Sequence, residues 1–235
     1  MSYHNSVGTY YGPDTTVLLF TGLAGAGKST LAGISSKFMK RLIRYSDIQP
    51  RDAIAVETVD GEALRAKSGN VSWDKAGVRA QASSLIGHVH NLIREYGSTQ
   101  CRYLFVYADL VMPYRDIRLS IEDTFARVEK KISFSEVYVK TPIEEVRERR
   151  AELWEKAERG EVTGLAGFHF PYEEHEDLGL NLGAILSGSK KHFDIAEFRA
   201  KDIASSLLCD ITERVDFDNS KRRFTDGRTG QYREV

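Results

Sequence analysis

The 235-residue sequence predicts an α/β protein in which a mainly parallel β-sheet carries helices on both faces. Short, β-branched apolar runs alternate along the chain with longer segments of helical periodicity. The runs are apolar throughout, as strands covered on both faces are. The helical segments between them are long enough to serve as the crossovers that parallel strands require. A glycine-rich stretch, "GLAGAGKST" (22–30), joins the first run to the first helical segment.

In order, "TTVLLF" (15–20) reads as the first strand and Lys28 to about Arg44 as the helix after it. "AIAVETV" (53–59) is the second strand, followed by a helix from about Trp73 to Tyr96. "YLFVYA" (103–108) and a helix from Ile117 to Lys131 come next, then "FSEVYV" (134–139) and a helix from Ile143 to Arg159. That last helix has a start signal: Thr141 as cap, Pro142 in the first turn, and Glu144 three residues after the threonine, as in a capping box. Residues 159–183, "RGEVTGLAGFHFPYEEHEDLGLNLG", lack periodicity and are long for a connection, which makes them a candidate lid. "KHFDIAEFRAKDIASSLL" is amphipathic and predicts a helix packed on the sheet. The basic stretch from about 218 to 235 reads as a solvated terminus. One domain over 1–235, with its core at about 15–210, accounts for the whole pattern.

Hydrophobic residues at 41% and charged ones at 29% are ordinary for a soluble globular protein. A formal net charge of -1 gives no long-range attraction to nucleic acid or an anionic membrane, and no apolar run has the length of a membrane span. The opening "MSYHNSVGTYYGPD" lacks a signal-peptide core. Cys101 and Cys209 each end an apolar run and read as buried, reduced thiols, so a cytoplasmic location is expected.

Gly22 to Ser29 match G-x-x-x-x-G-K-S/T between a strand and a helix, the setting in which that pattern cradles phosphates. From Gly22 through Leu23, Ala24, Gly25, Ala26 and Gly27, bare backbone lets successive N–H groups turn inward around a polyanion. The helix that starts near Lys28, Ser29 and Thr30 adds partial positive charge. Lys28 reaches the β- and γ-phosphates and Ser29 offers a hydroxyl to Mg²⁺, so a triphosphate nucleotide is expected here. A guanine-nucleotide switch is disfavoured because no N-K-x-D is present, and "DKAG" (74–77) follows no strand. A motor or nucleic-acid ATPase stays open through the acidic Asp60 and Glu62 after the second run, although size and charge balance weigh against it.

Further segments follow the strands: "VDGEALR" (59–65), "DLVMPYRDIR" (109–118), "FSEVYVKTPIEE" (134–145) and "WEKAERGEVTG" (154–164). With "GLAGAGKST" they resemble the adenylylsulfate kinase family from about Val17 to Glu173, in order and approximate spacing. The resemblance implies a P-loop kinase fold, ATP with Mg²⁺, transfer of the γ-phosphoryl to the 3′-hydroxyl of adenylyl sulfate, and a homodimer. Asp60, expected at the end of a strand beside the P-loop strand, is the candidate to orient the acceptor hydroxyl or the metal's water shell. Asp109 is its rival, and Lys28 is the cation at the transferring phosphate. Arg65, Arg79, Tyr114 and Arg115 are the acceptor-side candidates. The resemblance places Arg149 against the ATP adenine, with a solvated helix face as the alternative.

The departures fall on the acceptor side. The segment after "DGEALR" is short, with Val71 where the family has Phe and Trp73 nearby, Met112 replaces the Ser before "PYR", "RRAELWE" loses a lysine and a glycine, and "LAG" (165–167) stands for "FTG". The acceptor is therefore adenylyl sulfate first, with another nucleotide conjugate such as cytidine diphosphoramidate, or a catalytically inactive nucleotide-binding module, as alternatives.

Overall fold

The computed structural model describes residues 12–46, 53–67, 69, 72–128, 132–173 and 184–226. Five parallel strands form one sheet: β1 (Asp14–Thr21), β2 (Ile54–Asp60), β3 (Tyr103–Asp109), β4 (Ile132–Lys140) and β5 (Ala184–Ser187). Their spatial order is β2-β3-β1-β4-β5, so the strand that feeds the glycine-rich loop lies at the centre. Alternation along β1 divides the core in two. Leu18 and Phe20 pack with α1 (Lys28–Tyr45) and the long C-terminal α7 (Phe193–Asp226). Val17 and Leu19 pack with α3 (Lys75–Gly97) and α4 (Arg115–Val128) on the opposite face. Both faces of the central strands are thus dry, as their unbroken apolar runs predict.

The four predicted strands are present, each within two residues of its expected ends. Two elements were not foreseen. The short helix α2 (Gly61–Lys67) follows β2 directly, and β5 emerges from the end of the expected lid. The expected Ile143–Arg159 helix is two helices, α5 (Ile143–Arg149) and α6 (Ala151–Glu158), parted at Arg150 with φ -129 and ψ 38. In an unbroken helix neighbouring residues point about 100° apart. The break lets Arg149 and Arg150 both reach the phosphate loop. The expected capping box does not form either, because the Thr141 hydroxyl donates to the Ala26 carbonyl at 2.8 Å and no side chain caps α5.

The basic stretch expected to be a loose terminus continues α7 as far as Asp226. Residues 174–183 of the expected lid, residues 227–235 and Val71 lie outside the described residues. Cys101 is buried as expected, whereas Cys209 is exposed. "DKAG" is a helix start: the Asp74 carboxylate accepts the Gly77 N–H at 2.8 Å, which caps α3 and holds that acid below its ordinary value.

The joint between β2 and α2 presses on the end of β3. A Cβ on Gly61 would lie 2.0 Å from the Asp109 carbonyl oxygen. Gly61→Ala sets backbone against backbone and should destabilise the protein by about 1–3 kcal/mol. Gly33→Ala, inside α1 with nothing within 4 Å, should instead stabilise by about 0.5–1 kcal/mol. Thermal unfolding of the two variants side by side checks both signs.

Candidate active site

The loop after β1 and the N-terminus of α1 form one wall of a cavity of about 310 Å³ at the C-terminal edge of the sheet. Open α/β sheets bind their ligands at this edge. Gly25 and Gly27 have φ of 95 and 99 degrees, the left-handed region that only glycine enters without strain. Lys28 is 6% exposed, and its Nζ donates to the Leu23 carbonyl at 2.8 Å across the loop it closes. Burial lowers its pKa from 10.5 to about 8, against the pull of Asp109.

Asp109 faces the cradle. It ends β3, the strand next to β1, is 8% exposed, and accepts a hydrogen bond from the Ser29 hydroxyl. Burial raises its pKa, and the carboxylate of Asp60 adds to the rise, while Ser29 and Lys28 oppose it. Asp60 does not sit beside the P-loop strand as expected. It ends β2, which β3 separates from β1. Its exposed carboxylate accepts the N–H groups of Glu62 and Ala63 at 2.8 and 3.0 Å, the geometry of a cap on α2. Asp60 is absent from the described cavity lining, whereas Asp109, Lys28 and Ser29 belong to it.

The arginines separate in the same way. Arg65 and Arg149 line the cavity. Arg65 stacks on Trp73, its guanidinium carbon 3.5 Å from the ring centroid, and donates to the Gln81 side chain at 3.2 Å. Burial brings Arg65 down to about 10. Gln81 is buried and also donates to the Gly61 carbonyl at 2.9 Å, tying α2 to α3. Arg149 donates to the carbonyls of Gly25 and Gly188 at 3.1 and 2.8 Å, and to Glu145 at 2.9 Å. Arg79, Tyr114 and Arg115 lie outside this cavity. Arg79 pairs with Asp116 on the surface, Tyr114 stacks on Phe170, and the Arg115 N–H donates to Glu173 at 2.6 Å.

Sequence reasoning passed over Gln81 and Arg150, although Gln81 carries a signal. It is a polar residue at a core position of α3, one turn from Val78 and beside Ala82. The described part of the lid folds against this side of the sheet. Phe168 meets Trp154 edge-on at 5.4 Å, and the Glu173 N–H donates to the Pro113 carbonyl at 3.1 Å. Beneath it, Arg118 forms a buried ion pair with Glu136 at 3.4 Å and donates to the carbonyls of Met112 and Glu173. Glu136 also accepts from Thr21, at the end of β1. The described part of the lid is thereby fixed, at Glu173, to the strand that carries the cradle.

A second cavity, of about 590 Å³, adjoins the first and shares Glu62, Arg65, Trp73, Arg149 and Arg150 with it. Among the described residues no group of three or more His, Cys, Asp or Glu is placed to hold a metal ion, and no helix is long and apolar enough to cross a membrane.

The family described as adenylylsulphate kinase matches residues 14–182. An adenylyl-sulfate kinase of Bacteroides thetaiotaomicron is 29% identical over 174 residues, covering 72% of this chain and 76% of that one. A probable adenylyl-sulfate kinase of Halalkalibacterium halodurans is 31% identical over 170 residues, 69% of each chain. The solved structure of a Mycobacterium tuberculosis APS kinase in complex with AMPPNP and APS superimposes with a TM-score of 0.61 at 23% identity, over 83% of this chain and 99% of that one. At that identity the likeness bears on the fold alone.

Proposed function

The chain belongs to the adenylylsulphate kinase family, and we propose that it transfers the γ-phosphoryl group of ATP to the 3′-hydroxyl of adenylyl sulfate. The observation that carries this reading is that the cavity of the phosphate cradle and the second cavity lie side by side, with Glu62, Arg65 and Trp73 lining both. A donor triphosphate and a nucleotide-sized acceptor need two such adjoining spaces, and phosphoryl transfer needs little beyond positioning and charge neutralisation. Lys28 is the cation for the β- and γ-phosphates, and Arg65 with Trp73 forms a charged, aromatic face toward the acceptor.

The Ser29 hydroxyl and the Asp109 carboxylate are hard oxygen donors at the edge of the cradle, and they fit Mg²⁺ held jointly with phosphate oxygens and water. When bound, that ion neutralises charge on the β- and γ-phosphates. A related reading keeps the reaction and changes the acceptor to another nucleotide conjugate. It draws on Arg79, Tyr114 and Arg115 standing away from the cradle cavity. Incubation with ATP, Mg²⁺ and either adenylyl sulfate or a panel including cytidine diphosphoramidate, scored by ADP formation, decides between the two. Absence of acceptor-stimulated ADP across the whole panel defeats both.

Lys28 also sets a pH dependence for nucleotide binding. With its pKa near 8 in the free protein, the lysine loses its proton as pH rises above that value. A polyphosphate in the cradle holds the proton on, so binding above pH 8 takes up a proton and weakens by up to about tenfold per pH unit. Titration of ADP into the protein from pH 7 to 9.5 should give a flat affinity that breaks downward near pH 8. An affinity unchanged across that range would contradict the assignment of Lys28.

A further inference from the structure

Two arginines stand side by side where α5 ends, and they are held in different ways. Arg149 donates to two backbone carbonyls and to Glu145, so it fastens the cradle to its surroundings. Arg150 occupies the break between α5 and α6. Its stem lies over the phosphate loop, with Cγ 2.9 Å from where a Cβ on Gly25 would stand. Its guanidinium reaches over to the carboxylate of Glu62, in the first turn of α2. The side chains of this pair are 44% and 70% exposed, and an ion pair so open to water contributes little to stability. Arg150 is also near enough to Lys28 for the two cations to repel, and it borders both cavities.

On the kinase reading, a phosphoryl group passing from the first cavity to the second crosses the boundary that Arg150 lines. We propose that Arg150 is a phosphate-binding arginine of the transfer step, paired with Glu62 in this structure and drawn onto the γ-phosphate when ATP fills the cradle. This rests on the reading of the chain as a kinase. The exchange is favourable in kind: a largely solvated monoanion is left for a phosphate that a guanidinium grips with two parallel N–H bonds. In the transfer itself the bond from the acceptor oxygen to Pγ forms as the bond from Pγ to ADP breaks, and the hydroxyl proton passes to solvent. Arg150 keeps its proton throughout and neutralises charge on the equatorial oxygens.

Arg150→Gln tests this, because it keeps Cγ over Gly25 and removes the cation. Its affinities for ADP and for Mg·AMPPNP are measured by titration, and its kcat with ATP and whichever acceptor the wild type uses. ADP affinity should stay within about twofold, AMPPNP affinity should fall about tenfold, and kcat should fall about 10²–10³-fold. Arg150→Lys should recover part of the loss. Glu62→Gln, which removes the competing carboxylate, should shift the AMPPNP-to-ADP affinity ratio the opposite way. A ratio unchanged from wild type in both Arg150→Gln and Glu62→Gln overturns the proposal, whatever kcat does. A wild type that phosphorylates no acceptor defeats the kinase reading instead, and the nucleotide titrations still decide the role of Arg150.

Discussion

Lys28→Met should cut turnover by about 10²–10³-fold and yet raise the melting temperature of the nucleotide-free protein. The first effect follows from the place proposed for Lys28, as the cation at the transferring phosphate. The second follows from burial. A lysine whose pKa drops from 10.5 to about 8 on folding carries a linkage penalty of roughly 3 kcal/mol at neutral pH. Methionine keeps the length and apolar character of the stem without the charge. Loss of the charged bond to the Leu23 carbonyl, worth about 1.5–3 kcal/mol, offsets most of the gain, the attraction to Asp109 being contained already in the shifted pKa. The net is about 1 kcal/mol, or about 2–4 °C for a chain of this size.

The folded protein holds fewer protons at Lys28 than the unfolded chain between pH 8 and 10.5, so wild-type stability from this group rises over that window. The advantage of the methionine variant should be full below pH 8 and shrink as pH approaches 10. Calorimetry at pH 7 and pH 9.5 reads both values. A methionine variant less stable than wild type at pH 7 would mean that the lysine is held by more than one carbonyl and one carboxylate.

This cost explains part of what sequence could and could not convey. The cradle was legible because its chemistry is local: glycines, a lysine and a hydroxyl at fixed spacing after a strand. The central strands were legible because burial on both faces leaves an unbroken apolar run, as in "TTVLLF" and "YLFVYA". β5 was missed because "AILS" is four residues long and follows a glycine-rich stretch, too short to show a period. α2 was missed because seven residues starting with glycine carry no stripe, and the helix is held by the Asp60 cap and the Gln81 bond. The α5–α6 break has no glycine or proline to announce it. The residues at the break pack against Gly25 of the loop, a tertiary contact that no local pattern reports.

The aspartates show a deeper limit, and they carry the second large effect. Read along the chain, Asp60 follows the second strand and looks like the carboxylate beside the cradle. Spatial order is a property of the crossovers, and here β3 enters between β1 and β2. That exchange places Asp109 against Ser29 and leaves Asp60 capping α2. Asp109→Asn should therefore lower kcat by about 10²–10³-fold and raise the Mg²⁺ concentration needed for half-maximal rate, because the amide retains an acceptor for Ser29 and lacks the charge. Asp60→Asn should leave stability within about 0.5 kcal/mol, since asparagine caps as well as aspartate, and should keep kcat within about tenfold. The reverse outcome, with Asp60→Asn the crippled variant and Asp109→Asn near normal, would return the metal's water shell to Asp60. It would also require α2 to give up its cap when nucleotide binds, which amide hydrogen exchange at Glu62 and Ala63 would register as a loss of protection.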